Sequence, residues 1–255
     1  MTLSLKLKQD KSLEVLLGKY AQEDMRPIFG YEIEFYLPKN NPKDFQDELG
    51  VSLQQEKGPG QYEINSAPFK DVFALLESAD FIRRKLIDMK AELRAKPFGD
   101  DYGSSLHLHF NILNPDGLNL FENKNILEFA ANGICYFMNE TIFAILPQEE
   151  DYLRFDAKFM APTHVAYGNN NRTVALRIPD SRPTRLEHRL CSPLSDLYVA
   201  AFIILKSSYV GMKNQYQHYQ KIFGNAFDAQ YNLEPLARSC KEARLAFNTE
   251  FFAIR

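Results

Sequence analysis

The chain has 255 residues, 45% of them apolar, and its 33 acidic and 30 basic side chains give a net charge of −3. This length suits one large domain or two small ones, and the composition is that of an ordinary globular protein. The balanced charge gives no support for a nucleic-acid-binding protein or for a charged, solvating tail.

Hydrophobic periodicity and turn residues predict a mixed series of helices and strands along the chain. Helices are expected at residues 12–20, shortly after a turn at 40–44, and at 69–95, 125–146, 195–209 and 233–247. Strands are expected at residues 28–37, 61–65, 106–113, 173–178 and 185–190, with a tight turn at 56–60. This order lacks a βαβ rhythm and therefore favours an α+β fold with a curved, antiparallel sheet.

Membrane and secretory signals are absent from the sequence as read. The longest apolar run, residues 197–205, is too short to cross a bilayer and is interpreted as a buried helix. The N-terminal residues lack the continuous apolar core of a signal peptide. The three cysteines are far apart and fit no metal-binding spacing, so we expect buried free thiols in a reducing cytoplasm.

Several predicted strands carry polar residues on one face. Successive side chains of a strand point to opposite faces, so Glu32 and Glu34 share a face and have apolar residues behind them. The same alternation gives two further triplets that each share a face: His107, His109 and Asn111, and Arg185, Glu187 and Arg189. Carboxylates above an apolar layer are costly unless they are paired or bind cations. The alternative interpretation is an ordinary solvated sheet face.

Five carboxylates and one imidazole on these segments are suited to two hard divalent ions: Glu32, Glu34, Glu56, Glu63, His107 and Glu187. Divalent ions of this type bind phosphate oxygens, so the pattern points toward phosphate chemistry. Each residue taken alone is weak evidence, because strand faces are routinely polar.

Five segments, in chain order, resemble the signatures of the glutamine synthetase catalytic domain: GYEIEFYL, GPGQYEI, KPFGDDYGSSLHLHF, NNNRTVALRIP and RLEHRLCSPLSDLY. The resemblance covers residues 29–211 and, more loosely, the remainder of the chain. It implies one catalytic domain over residues 1–255 with a short N-terminal extension at 1–27, and helices packed on the outer face of a curved, mainly antiparallel sheet.

The resemblance also divides the six candidate ligands into two sets: Glu34, Glu56 and Glu63, then Glu32, His107 and Glu187. The first set would hold the metal that polarises the substrate carboxylate and the acyl phosphate. The second set would hold the phosphate-binding metal. Two or more Mg²⁺ or Mn²⁺ ions are implied, with ATP as co-substrate.

Other residues match binding positions of the same family. Those matching the nucleotide and the transferred phosphoryl group are Arg172, Arg177, Arg185, His109 and Asn111. Those matching the amino-acid substrate are Gly103, Arg154 and Arg189. The catalytic role falls to Glu63, Arg172 and Arg177. Since Arg172 and Arg177 are five residues apart, a regular strand cannot present both on one face, and we expect one of them in the preceding loop. The alternative for each arginine is a surface ion pair of little energetic value.

The sequence departs from the family pattern at three places. The family has a separate N-terminal β-grasp domain that completes the active site of a neighbouring subunit, whereas only some 28 residues precede the start of the resemblance at residue 29 here. Met160 stands where the family's flap carries a glutamate, and Tyr102 stands where an asparagine contacts the substrate. A thioether can neither accept a proton nor hold a cation as a carboxylate does. Because the N-terminal domain takes part in the subunit contacts of the family, its lack leads us to expect a monomer or a small homo-oligomer.

The resemblance implies an ATP-dependent carboxylate–amine ligase that forms an amide from glutamate or a related amino acid through an acyl phosphate. The acceptor is expected to be an amine other than simple ammonia, and neither nucleic acid nor membrane is expected as a partner. The alternative is a non-catalytic nucleotide- or metal-binding protein that regulates or partners another protein.

Overall fold

The computed structural model describes residues 2–37 and 41–253. The α-helices of this part are α1 Leu3–Gln9, α2 Ser12–Gln22, α3 Pro42–Leu49, α4 Val72–Asp88, α5 Lys124–Tyr136, α6 Met138–Ile145, α7 Glu149–Tyr152, α8 Leu197–Lys213 and α9 Cys240–Ala246. Its strands are β1 Arg26–Tyr36, β2 Gln54–Gln55, β3 Gln61–Asn65, β4 Leu106–Leu113, β5 Tyr167–Asn169, β6 Leu176–Ile178 and β7 Leu186–Cys191. Asn40, the first residue of the predicted turn at 40–44, lies outside the described residues.

The strands form one sheet in the order β2-β3-β1-β4-β7-β6-β5. All neighbouring pairs are antiparallel except β5 and β6, which are parallel. The apolar side chains of β1 and β4 are buried, and α2 and α4 both pack against β1. The predicted α+β class and the mainly antiparallel sheet are confirmed, and helices pack on the apolar face of the sheet. The sheet is not curled, so the predicted curvature is not confirmed.

The N-terminal residues belong to the core. Leu7, Leu13, Leu16 and Tyr20 of α1 and α2 are buried, and the hydroxyl of Tyr20 donates to the carbonyl of Leu205 in α8 at 2.9 Å. The predicted extension at residues 1–27 therefore contributes two helices to the packing, and its last two residues begin β1.

Helices α5 and α8 approach each other at two glycines. A Cβ atom on Gly133 would lie 2.1 Å from the carbonyl oxygen of Ser207, and one on Gly211 would lie 2.3 Å from the carbonyl oxygen of Phe129. Side chains cannot fit at such distances, so both glycines are needed for this close helix contact.

Two predicted helices were too long because tertiary contacts end them earlier. Helix α4 begins at Val72, where Asp71 caps it, and ends before Lys90, which has a left-handed backbone with φ 64°. Glu92 pairs with Tyr36 of β1 instead of continuing the helix. The predicted helix at 125–146 is two helices, since Phe137 leaves helical geometry and packs on Phe251 with ring centroids 4.9 Å apart.

The C-terminal predictions need a similar correction. Of the helix predicted at 233–247 only Cys240–Ala246 is helical, because His164 and Pro235 form a β-bridge and Ser239 caps the helix downstream. Strand β6 is shorter than the predicted 173–178, since the side chain of Thr173 is bonded to Asn171 in a turn. Strand β5 was not predicted, and three residues are too few to show a period.

No described helix combines the length and the apolar character needed to cross a membrane. Residues 197–205 lie in α8 and are almost entirely buried, as predicted. Cys135 and Cys191 are buried free thiols, as expected, whereas Cys240 is only partly buried.

Candidate metal centre

The polar face of the sheet is formed by β3, β1, β4 and β7, which are neighbours in that order. Glu34 of β1 lies opposite Glu63 of β3, and Glu32 lies opposite His107 of β4. On the other side of β4, Glu187 of β7 lies opposite His109 of β4. Residues that are far apart in the sequence therefore meet on one surface, which confirms the faces predicted from strand alternation.

The structure brings the six candidate ligands together as two clusters of three: Glu32, His107 and Glu187, and Glu34, Glu56 and Glu63. Within each cluster, hereafter the Glu187 cluster and the Glu63 cluster, one donor atom from each residue lies within 4.8 Å of the others. This is the same division that the family resemblance implies.

In the Glu187 cluster, the carboxylate of Glu187 is fully buried and surrounded by positive charge. Arg177 donates to its Oε2 at 2.9 Å, and Arg189 donates to its Oε1. Burial favours the protonated acid, but His107 and Arg189 outweigh it and lower the pKa of Glu187 to about 2. Glu187 is therefore ionised at neutral pH and available to a cation.

Glu32 completes the Glu187 cluster through two histidines. Its Oε2 lies 3.0 Å from Nδ1 of His107, and its Oε1 lies 2.7 Å from Nε2 of His109. Burial opposes ionisation, but the hydrogen bonds from both rings hold the pKa of Glu32 well below its usual range. Burial also disfavours the imidazolium of His107, but Glu32 and the neighbouring carboxylates raise the pKa of His107 above its ordinary value.

In the Glu63 cluster, burial and the charges of neighbouring acids both disfavour the ionised form of Glu63. Burial, together with the charges of Glu32, Glu56 and Glu34, raises the pKa of Glu63 to about 7, although Asn65 donates to Glu63 at 2.8 Å. Glu56 precedes a turn that is fixed by Gln61, whose side chain accepts from the amide of Gly58.

The donor set of both clusters fits hard divalent cations. Five of six donors are carboxylates, the ligands that Mg²⁺ and Mn²⁺ prefer, and the sixth is an imidazole. Burial and the mutual repulsion of the acids raise the pKa of Glu63, and a bound cation relieves this cost of the ionised form.

Ser105 links the two clusters and was not singled out from the sequence. Its Oγ lies 2.7 Å from Oε2 of Glu34 and 2.7 Å from Nε2 of His107. Strand alternation was an available signal, since Ser105 shares the parity of His107, His109 and Asn111. What the sequence lacked was its partner, because Glu34 is 71 residues away along the chain.

The predicted phosphate-binding arginines differ in their surroundings. Arg172 is exposed in the loop before β6, whereas Arg177 lies on β6, so one of them precedes the strand as expected. Arg177 also donates to Asn170, at 2.6 Å. Arg185 donates from Nε to Nδ1 of His109 at 3.0 Å.

Two cavities open on either side of the clusters. The larger, of about 530 Å³, includes among its lining residues Glu32 and three of the five residues predicted for the nucleotide, His109, Asn111 and Arg185. We call it the nucleotide cavity. The smaller, of about 100 Å³, includes among its lining residues Glu34, Glu56, Tyr102, Gly103, Arg154, Met160, Arg172 and Arg189. We call it the substrate cavity. The residues predicted for the amino acid all line the substrate cavity. Of those predicted for the nucleotide and the phosphoryl group, Arg172 lines the substrate cavity instead, and Arg177 lines neither.

Arg154 is held more tightly by the protein than the sequence suggested. Its Nη2 donates to the carbonyls of Arg189 and Leu190 in β7, and burial lowers its pKa to about 10, so it stays charged at neutral pH. Gly103 packs directly on it, since a Cβ on Gly103 would lie 2.7 Å from the Cβ of Arg154. Arg189 likewise binds Glu187 and the carbonyl of Arg172.

The two residues that depart from the family pattern, Tyr102 and Met160, line the substrate cavity. Tyr102 and Phe159 make an edge-to-face contact with ring centroids 5.4 Å apart. Met160 follows Phe159 in a left-handed backbone conformation, and its side chain is largely exposed. The wall of the cavity at this end is therefore apolar and carries no carboxylate among these residues.

Comparison with known proteins gives a single family. The sequence-family model for the glutamine synthetase catalytic domain matches residues 51–253. The chain is 28% identical over 198 residues to the gamma-glutamylputrescine synthetase PuuA of Escherichia coli, covering 72% of this chain and 42% of that protein. It is 28% identical over 220 residues to a glutamate–isopropylamine ligase of a Pseudomonas species, covering 79% and 48% respectively.

A glutamine synthetase is also similar: type-1 glutamine synthetase 2 of Dictyostelium discoideum is 29% identical over 244 residues, covering 85% of this chain and 46% of that protein. The chain thus spans about half the length of the curated relatives it matches. Among solved structures, a complex of GmaS with ADP superimposes with a TM-score of 0.81 at 20% identity, over 94% of this chain and 69% of that one. At this identity the structural match supports the fold alone.

Proposed function

Since the chain belongs to the glutamine synthetase catalytic-domain family, we propose that it is an ATP-dependent ligase that joins glutamate, or a related amino acid, to an amine. The observation that carries this proposal is the pair of clusters on one sheet face, flanked by arginines and by two cavities. The clusters account for phosphate chemistry, and the two cavities account for two substrates on either side of it.

The metal roles follow the clusters. The Glu187 cluster would hold one divalent ion beside the nucleotide cavity, and the Glu63 cluster would hold another beside the substrate cavity, with Mg²⁺ or Mn²⁺ as the ions. Such ions supply positive charge that polarises a carboxylate and neutralises a transferring phosphoryl group. His107 and Arg189 keep Glu187 ionised by lowering its pKa, so that its charge is available for this role.

Phosphoryl transfer takes place between the two cavities. The side-chain carboxylate of the amino acid attacks the γ-phosphorus of ATP, and ADP leaves. Arg172 and Arg177 stabilise the negative charge on the phosphoryl group, because a guanidinium binds phosphate oxygens in a planar, bidentate manner. Arg185, fixed to His109, binds the nucleotide phosphates, and Asn111 lines the same cavity. The protein supplies placement and charge rather than a nucleophile.

The amino acid is held at the other side. Arg154 and Arg189 place their charge beside the substrate cavity, and Gly103, which lines the same cavity, packs on Arg154. An amine then attacks the acyl phosphate and displaces phosphate, so that an amide forms.

We assign an alkyl or aryl amine as the acceptor. Two relatives are named for putrescine and isopropylamine, amines with carbon substituents. Tyr102, Phe159 and Met160 give this chain an apolar wall suited to such a substituent. Met160 can neither bind ammonium by charge nor accept its proton. Cytoplasmic location and a monomeric or small homo-oligomeric state stay predictions.

The proposal is tested by ATP-dependent phosphate release from the purified chain with Mg²⁺, glutamate and a panel of amines. We expect release that requires both glutamate and an amine, with alkyl or aryl amines preferred over ammonium. ATP binding without any release, over a broad panel of amino acids and amines, would contradict a ligase and favour the non-catalytic alternative.

A further inference from the structure

We propose that Ser105 is a positioning residue that fixes the ring of His107 for metal binding and couples the two clusters. The inference rests on the metal sites of the proposed function. It concerns the contacts that decide which nitrogen of His107 faces the ion.

The contacts of Ser105 are short and buried. Its amide nitrogen and its Oγ each lie 2.7 Å from the same oxygen of Glu34, Oε2. The same Oγ lies 2.7 Å from Nε2 of His107, and only 4% of the residue is exposed. Solvent therefore does not compete for this hydroxyl.

The hydrogen positions follow from what each group can donate. A carboxylate only accepts, so the hydroxyl proton of Ser105 points to Glu34. The hydroxyl oxygen then accepts from His107, which places the ring hydrogen on Nε2. With a cation in the Glu187 cluster, the imidazole of His107 would be neutral and carry a single N–H, so Nδ1 would offer its lone pair to the ion in place of its hydrogen bond to Glu32.

That lone pair faces the Glu187 cluster. Nδ1 of His107 lies 3.0 Å from Oε2 of Glu32 and 3.5 Å from Oε1 of Glu187. Hydrogen bonds to the second nitrogen of a metal-binding histidine typically fix its tautomer and strengthen metal binding. Here the hydroxyl that makes this bond is itself held by Glu34, which belongs to the Glu63 cluster, so Ser105 joins the two clusters through one oxygen.

Ser104 provides a matched control. It is the preceding residue and is fully buried, and its Oγ has no hydrogen-bond partner among the described residues. Ser104→Ala and Ser105→Ala remove the same atom from adjacent buried positions. Only the second removes a contact to the clusters.

The first test reads the tautomer directly. Long-range ¹H–¹⁵N spectra of the histidine side chains, recorded on the Mg²⁺-loaded chain, should show His107 protonated on Nε2 in the parent and in Ser104→Ala. The His107 signal is assigned by its loss in His107→Gln. We expect Ser105→Ala to lose this single tautomer. An unchanged His107 signal in Ser105→Ala would overturn the proposal, since a hydroxyl with only a packing role would not control it.

The second test measures metal affinity by calorimetric titration with Mn²⁺. Ser105→Ala should weaken binding by about 10- to 100-fold, the usual cost of losing a hydrogen-bond partner behind a metal ligand, with Ser104→Ala close to the parent. Glu34→Ala should weaken Mn²⁺ binding at the Glu187 cluster, although Glu34 is not part of that cluster. In the Glu34→Ala background, Ser105→Ala should weaken Mn²⁺ binding by a smaller factor than in the parent.

Equal effects of the Ser104 and Ser105 variants would overturn the inference and leave the metal sites intact. A different failure concerns the proposed function itself. Mn²⁺ binding that is absent from the parent, or that is unaffected by Glu187→Gln, would remove the metal assignment and with it the role of Ser105.

Discussion

Glu32 and His107 lie opposite each other on β1 and β4, and Oε2 of Glu32 is 3.0 Å from Nδ1 of His107. Glu187 approaches the same nitrogen from β7, at 3.5 Å. Three strands from distant parts of the chain thus converge on one imidazole nitrogen. The convergence gives the Glu187 cluster its geometry and makes the order of the strands, rather than any single motif, responsible for the candidate centre.

Metal binding should stabilise the folded chain. Millimolar Mg²⁺ or Mn²⁺ is expected to raise the melting temperature, because the clusters exist only in the folded state. Glu34→Ala and Glu63→Ala should each remove most of this increase. Glu48→Ala is the control, since Glu48 lies on α3 and pairs with Lys85 outside both clusters. A full increase in the Glu34 and Glu63 variants would contradict the two-cluster assignment.

Stability should also depend on pH through Glu63. The ordinary pKa of a glutamate is 4.5, and in the folded chain the pKa of Glu63 is raised to about 7. Between these values the folded chain holds a proton that the unfolded chain has released, so stability falls as pH rises through this window. With a chelator present, the parent should lose more stability than Glu63→Gln over the same range.

Mg²⁺ should reduce this loss, because the cation replaces the proton at Glu63. Melting curves across the window, with chelator and with Mg²⁺, give the comparison. Identical pH profiles for the parent and Glu63→Gln would show that Glu63 does not titrate in this range.

Substitutions of Arg172 and of Arg154 should differ in their effects on activity and on stability. Arg172 is exposed, so Arg172→Ala should reduce phosphate release with an unchanged melting temperature. Arg154 is buried and holds carbonyls of β7, so Arg154→Ala should destabilise the fold by about 1.5–3 kcal/mol, the cost of losing charged hydrogen bonds. Arg244→Ala on α9, whose side chain lies over Phe143, is the control for both.

The measurements are thermal unfolding and the Michaelis constants for ATP and glutamate. Arg172→Ala should slow phosphoryl transfer or raise the Michaelis constant for ATP. Arg154→Ala should mainly raise the Michaelis constant for glutamate. An Arg172→Ala variant with parental kinetics for both substrates would refute its phosphate role.

Position 160 should control the use of ammonium. Met160→Glu is expected to raise turnover on ammonium relative to alkylamines, because it supplies a carboxylate that can hold the cation and accept its proton. Met160→Gln has the same length without the charge and should leave the preference unchanged. Competition between ammonium and an alkylamine, read by mass spectrometry of the products, measures this ratio. Efficient glutamine synthesis by the parent would show that Met160 does not set the acceptor.

The sequence alone predicted the parts of the site that depend on local period. Strand alternation grouped Glu32 with Glu34 and His107 with His109, because side-chain direction in a strand repeats every two residues. Their division into two clusters came from the family resemblance, since no spacing rule shows that Glu34 will pair with Glu63.

Features that depend on distant contacts could not be predicted. The end of α4 is set by pairing between Glu92 and Tyr36, and the burial of Arg154 is set by the carbonyls of β7. The role of Ser105 could not be predicted either, because it depends on the contact with Glu34.

Transfer of oxygen from glutamate to phosphate tests the central claim most directly. Glutamate labelled with ¹⁸O in its side-chain carboxylate would be incubated with the chain, ATP, Mg²⁺ and an alkylamine, and the phosphate analysed by mass spectrometry. Attack of the carboxylate on ATP predicts one ¹⁸O in the phosphate for each amide formed, with ADP as the other product, and loss of both amide and label in Glu187→Gln. Amide formation with unlabelled phosphate would contradict an acyl-phosphate ligase.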